Sequence, residues 1–343
     1  MSAASALIKG LDPDPQLAEA AVRLALARAG LHHANGVILY LTHEMAKQAG
    51  AALRAASRAA GSLQVIGVTA HGIFTETGWV LDQPAAAALV MGGELALAPD
   101  GDGPVLSFSG GSALPGDWLQ ARPRLGLLHA NGQAWQQSRL TADGRAEAVI
   151  TGGIYTQIVT SGLKALAAPQ TVNGVRGLDV LGLGELSAFD SLLRLLPPDL
   201  RQRNSLPLHM LAAMPDGRAD LPAIPLLAAN GDGSIALARP LRPGDRIAWG
   251  LRQAMSAEDE IRQALATAAE SLAQPTFGLM FSCIGRGPLF YGNDDRDLLA
   301  WRERFPGVPL IGAYGSGQLT SSSWETRQWQ NAAVTALFSE SHV

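Results

Sequence analysis

The sequence predicts an α/β protein of two pseudo-symmetric lobes, each with a β-α-β unit and antiparallel strands, β-sheets inside and helices outside. Three observations predict it. The chain has 343 residues, more than one core usually supports. Apolar residues make up 47% and charged residues 16%, a composition for burial. A strand-helix-strand pattern near the start of the chain recurs near its end.

The first helix opens with Asp14 as N-cap and Pro15 at its first position, places Leu17, Ala21, Leu24 and Ala25 on one face, and closes at Gly30. "GVILYLT" (36–42) is a compact β-favouring run. Met45, Ala49, Leu53 and Ala56 then recur at helical spacing until Gly61, and "LQVIGVTAHG" (63–72) reads as a buried strand entering a glycine loop. These make one β-α-β unit, with parallel strands and a right-handed crossover.

Short apolar runs divided by "PDGDG" and "ADG" fill the region from about 80 to 160 and predict strand-turn-strand structure. Ser187 and Asp190 form a capping box for a helix that Pro197-Pro198 stops. "IPLLAANGDGSIALARPL" (224–241) and "GDRIAWGLR" predict a three-stranded meander. Ser256 with Asp259 repeats the capping box, starting a helix that buries Ile261, Leu265, Ala268 and Leu272. At the end, "FGLMFSCIGRG" is a strand from 277, "DDRDLLAWRERF" a helix and "VPLIGAYGSGQL" (308–319) a strand into a second glycine loop. Aligned on Gly36 and Gly278, "IGVTAHG" (66–72) corresponds to "IGAYGSG" (311–317), which reads as an internal duplication.

Net charge is −4 and the basic residues are scattered, so neither nucleic acid nor an anionic membrane is an expected partner. No run reaches the roughly 20 apolar residues of a membrane span, and the first residues lack a signal-peptide core. The expected location is the cytoplasm. The histidines form neither HExxH nor a Cys/His ligand spacing, and no GxGxxG or GxxxxGK[ST] occurs, so neither a metal nor another cofactor is expected. "GSGQLTSSS" (315–323) lacks the setting of a serine nucleophile.

The candidate site residues cluster around the repeated unit. Gly67, Gly72, Gly312 and Gly317 let the backbone turn tightly and bring free N–H groups to a ligand, or else serve only to pack the lobes. His71 lies in the first glycine loop and Tyr314 in the second, positions that can line a shared pocket. Cys283, the single cysteine, precedes the turn Gly285-Arg286-Gly287. Arg286 can pair its planar fork with a ligand carboxylate or an internal acid. Cys283 reads as a buried wall of the site or, with a cation to stabilise its thiolate, as a nucleophile.

These residues resemble a known family. "FSCIGRG", the acidic-capped helix and "FPGVPLIGAYGSGQL" resemble the C-terminal FIST module, whose members carry a cysteine and arginine in a C-x-G-R-G-like turn; "GVILYLT…LQVIGVTAHGI" resembles the N-terminal one. The resemblance implies an N-terminal-like lobe over 1–160 and a C-terminal-like lobe over 161–343. It also implies a sensory module for a small ligand such as an amino acid or small carboxylate. No output segment is recognised in the chain, so a separate signalling protein is the implied partner. Where the family often has glutamate after the last glycine, this chain has Gln318. A cysteine-dependent hydrolase or acyl transferase using Cys283, and a protein-interaction scaffold, are the alternatives.

Overall fold

A computed structural model describes residues 2–120, 122–201, 206–321 and 325–341. Ser322 and Ser323 of the serine-rich stretch, and His342, lie outside the described residues. The chain forms two compact units, residues 1–159 with 261–343, and residues 160–260.

The larger unit begins with β1 (Ala3–Lys9), α1 (Gln16–Ala29), β2 (Gly36–Thr42), α2 (Ala49–Ala60) and β3 (Val65–Ala70). In α1, Ala18, Ala21, Val22, Ala25 and Ala29 form the buried face, and Gly30 ends the helix at φ 71°, a conformation only glycine adopts readily. The helix expected from Met45 onward starts later, because residues 43–48 wind as a tighter 3₁₀ turn. Nine further strands run from β4 (Gly72–Thr75), β5 (Gly78–Leu81), β6 (Ala85–Met91), β7 (Ala96–Ala98) and β8 (Val105–Ser109) through β9 (Arg124–Leu128), β10 (Ala134–Gln136) and β11 (Arg139–Leu140) to β12 (Arg145–Thr151). β13 (Gly153–Thr160) follows.

The smaller unit holds β14 (Leu163–Ala165), β15 (Gln170–Arg176), β16 (Asp179–Leu183), β17 (Leu186–Ser187), α3 (Ala188–Leu195), α4 (Pro198–Arg201), β18 (Leu211–Pro215), β19 (Ile224–Ala229), β20 (Ile235–Leu237) and β21 (Arg246–Arg252). The Ser187 cap is present, its hydroxyl accepting from the Asp190 amide. β19 and β20 form the expected hairpin. β21 departs from the meander: it pairs with β18, β14 and β15 instead of β20, so the sheet closes on itself. Closure removes the free edges an open three-stranded meander would leave.

The chain returns through α5 (Ala254–Ser271), β22 (Phe277–Cys283), α6 (Pro288–Tyr291), α7 (Arg296–Arg304), β23 (Leu310–Gly315), β24 (Gly317–Ser321), β25 (Thr326–Trp329) and β26 (Ala333–Glu340). α5 starts two residues before Ser256, whose hydroxyl donates to the Gln253 side chain instead of capping the helix.

In the larger unit one sheet runs β1-β6-β2-β3-β10-β11, a second β13-β26-β22-β23-β4-β5 and a third β25-β24-β9-β8-β12-β7. Both β-α-β patterns have the expected parallel pair, β2 with β3 and β22 with β23. Each also has an antiparallel strand on its other side, β6 and β26. α1 and α2 cover the outer face of the first sheet, and α7 with the Ile261–Leu272 part of α5 covers the second. The inner faces share one core that includes Ile38, Ile66, Leu89, Phe108, Phe281 and Ile311. Each such side chain contributes roughly 1.5–3 kcal/mol by leaving water, so this common core outweighs any single polar contact. Both β-α-β patterns therefore sit in one compact unit, and the units do not follow a single boundary at 160/161.

Candidate functional site

The two glycine-bearing segments meet, as strands and not as loops. One residue, His71, separates β3 from β4, and one residue, Ser316, separates β23 from β24. At each point the chain crosses from one sheet to another. β4 pairs antiparallel with β23, Gly72 opposite Tyr314, and the His71 amide donates to the Tyr314 carbonyl at 3.1 Å.

The glycines are there for close packing. None of Gly67, Gly72, Gly312 or Gly317 has positive φ. A Cβ on Gly67 would lie 1.8 Å from the Leu39 carbonyl oxygen, one on Gly72 2.2 Å from Leu81, one on Gly312 2.1 Å from the Phe74 ring and one on Gly317 2.8 Å from Gln328. A cradle of free amides is not what these strand glycines form, because the β ladder engages the backbone here. Gly287 is different: φ is +66°, and a Cβ would lie 2.6 Å from the Tyr314 ring. Gly285 is exposed in the turn before it.

Arg286 is fully buried, and its partner is the internal acid. Nε reaches Asp297 Oδ2 at 2.6 Å and Nη2 reaches Oδ1 at 2.9 Å, while the Tyr291 hydroxyl donates to the same Oδ1 at 2.7 Å. Tyr314 donates its hydroxyl to Asp295, whose other oxygen caps α7 by accepting from Leu298 N at 3.0 Å. Burial, and then the neighbouring Asp297 charge, push the Asp295 carboxyl up to about 6. The Gly-Arg-Gly turn is thus locked to the start of α7 by a buried polar network. A carboxylate clamp facing solvent is not the arrangement found for Arg286.

Cys283 ends β22 on the alternation of Phe277, Leu279 and Phe281, the side that faces the shared core. It is 6% exposed, and its Sγ lies 3.7 Å from Asn331 Oδ1. Arg286 and Cys283, three residues apart, therefore direct their polar ends to different partners. Gln318 is buried beside them. Its amide, oriented to suit its neighbours, donates to the carbonyls of Ala332 and Trp329 and accepts from Cys283 N, each at 3.2 Å. A glutamate could not make those two donations.

The polar feature at this end of the sheets is a histidine cluster. His43, His71 and His129 each directly follow a strand that runs parallel to a neighbour, namely β2, β3 and β9. The carboxyl ends of parallel strands are where ligands bind in open α/β sheets. The His71 and His129 rings meet edge to face at 4.3 Å between centroids, and His43 stands 6.1 Å from His129. His43 and His71 are exposed, whereas His129 is fully buried. Neither ring nitrogen of His129 has a hydrogen-bond partner. Buried polar atoms left unpaired are rare and call for a cause. Burial, then the His71 and His43 charges, lower the His129 imidazole to about 3, so it is neutral at pH 7.

The backbone that presents His129 is tightly held. Gly132 N donates to the His129 carbonyl at 2.8 Å, closing a turn in which Asn131 has φ 62°. Ser316 Oγ donates to the Leu128 carbonyl and accepts from Ala130 N, both at 3.1 Å. A Cβ on Gly132 would lie 2.7 Å from His129 Cδ2. Of the residues expected at the site, His71 belongs to this cluster, while Tyr314 and Arg286 point into the network near α7. Sequence reasoning missed His43 and His129 because it sought metal spacings. The signal available was that "LYLT", "VTA" and "LGLL" each run straight into a histidine. Recesses lie elsewhere, one of about 220 Å³ bordered by Gln64, Gln136 and Glu147, and one of about 600 Å³ in the smaller unit bordered by Glu185, Arg194 and Arg246.

Comparison with known proteins fits the resemblance of the C-terminal part. Residues 188–321 match the FIST C domain, and membership of the FIST family is thereby supported. An uncharacterised protein of Mycobacterium tuberculosis is 26% identical over 199 residues, 55% of this chain and 52% of its own length. Another, from Mycobacterium bovis, is 27% identical over 191 residues, 53% and 50% of the two chains. The chain spans about half the length of these curated relatives. A shorter stretch of 47 residues is 47% identical to human F-box only protein 22, covering 13% of this chain and 11% of that one.

Proposed function

We propose that the protein is a sensory module that binds a small ligand at the carboxyl ends of β2, β3 and β9 and signals through a separate protein. The FIST C match supports a sensory domain. The observation that carries the placement is His129, fully buried with both ring nitrogens unpartnered beneath the exposed His71. A ligand reaching past His71 supplies the missing hydrogen bonds. Amino acids and small carboxylates are the class the resemblance suggests, and the cytoplasm is the proposed location. An acyl-transfer reading needs a base at Cys283, and the amide oxygen of Asn331 beside the thiol cannot accept its proton.

A thermal-shift screen of amino acids, small carboxylates and small amines tests this. A ligand at about 100 times its dissociation constant adds roughly 2.7 kcal/mol of stability. The shift is expected in the wild type and absent in a folded His129→Phe variant. A screen in which no compound raises the melting temperature overturns the proposal.

A further inference from the structure

Resting on that reading, we propose that the histidine cluster recognises the ammonium group of a small organic amine. The first support is register. The β4–β5 ladder ends with Gly72 opposite Leu81, so the next residues, His71 and Asp82, face one another. The β2–β3 ladder ends with Thr42 opposite Ala70, so His43 comes beside His71, with Glu44 next in the chain. Thr42 Oγ1 donates to the Gln83 carbonyl at 2.9 Å and accepts from Ala85 N at 3.0 Å, which pins the turn carrying Asp82 to the end of β2.

The second support is the chemistry of what gathers there. Burial and then the neighbouring His43 lower the His71 imidazole, and the carboxylates of Asp82 and Glu44 act against them. Beneath it the neutral His129 offers an unpaired acceptor nitrogen. Acceptors with negative charge suit a group with three N–H donors and a positive charge; a ligand carboxylate would meet repulsion from Asp82 and Glu44. Among the described residues no three His, Cys, Asp or Glu side chains stand where they could hold a metal ion.

The test titrates the full chain with ethanolamine, acetate and zinc chloride in parallel, following the His71 and His129 ring signals by NMR. Ethanolamine is expected to shift both rings saturably, and acetate neither. Asp82→Asn is the informative variant, because Asp82 has φ 55° and asparagine tolerates that conformation equally. It should weaken ethanolamine binding about two- to fivefold, the effect of losing one partly exposed charge partner. Unchanged affinity in both Asp82→Asn and Glu44→Gln, or ring shifts caused by acetate or zinc and not by ethanolamine, overturns the amine. If another compound binds and loses binding in His129→Phe, the amine falls and the sensory reading stands. If nothing of any class binds, both fall.

Discussion

Arg286 and Asp297 form a two-pronged ion pair, Nε–Oδ2 2.6 Å and Nη2–Oδ1 2.9 Å, in which both side chains are fully buried. Removing one partner of such a pair strands a charge in the interior, at a cost of about 3–5 kcal/mol. Arg286→Ala should therefore lower stability by that amount in denaturant titration. A variant as stable as the wild type would show that Arg286 is not structural and would return it to the ligand-clamp role.

Asp295 links stability to pH with a sign unusual for a carboxylate. Its folded value, about 6, lies above the ordinary one near 3.8, so between these values the folded state holds the proton that the unfolded state has lost. Its contribution is complete below about pH 4 and is lost as pH rises through about 6, amounting to about 3 kcal/mol. An asparagine side chain would keep the helix cap while removing the titration, so Asp295→Asn should gain stability relative to wild type between pH 5 and 7. A difference constant with pH would refute the assignment.

His129 works in the opposite direction. Its folded value, about 3, is below the ordinary 6.5, so its contribution is complete above about pH 6.5 and is lost as pH falls toward 3. Between pH 4 and 6 the two groups partly cancel, and a flat wild-type profile hides both. NMR should find the His129 ring still neutral at pH 5. A His129 ring that titrates near 6.5 would contradict its burial.

Glycines divide into two kinds that substitution to alanine should separate. At Gly67 the new Cβ meets backbone, the Leu39 carbonyl oxygen at 1.8 Å, and the parallel pair must part; the cost should reach the upper end of about 1–3 kcal/mol or exceed it. At Gly30 nothing lies within 4 Å, and only φ +71° is penalised, by about 1–2 kcal/mol. Equal melting temperatures for the two variants would refute the distinction.

Cys283 should react slowly. At 6% exposure, its thiol is expected to resist a disulfide-exchange reagent in the native protein and to react at once in denaturant. Rapid native modification would revive the nucleophile.

Local elements were readable wherever one periodicity or one cap decides them. The apolar runs at 36–42 and 277–283 are strands throughout, and the Ser187 cap starts α3 where its spacing places it. Failure came where the partner is distant in sequence. "VTAHG" and "AYGSG" look like glycine loops because a sequence window cannot see that Gly72 pairs with Tyr314, 242 residues away in the chain. Likewise "CIGRG" displays an arginine between glycines, but not the acid eleven residues on that occupies it.

By itself, then, the sequence determined an α/β chain with two parallel strand pairs and their helices, because propensity, periodicity and caps act over a few residues. Only the tertiary structure decided that both pairs share one core, that Arg286 is satisfied internally, and that His129 lies buried and unpaired beneath His71. Those outcomes depend on which faces bury against which, and that competition for burial is settled across the whole chain.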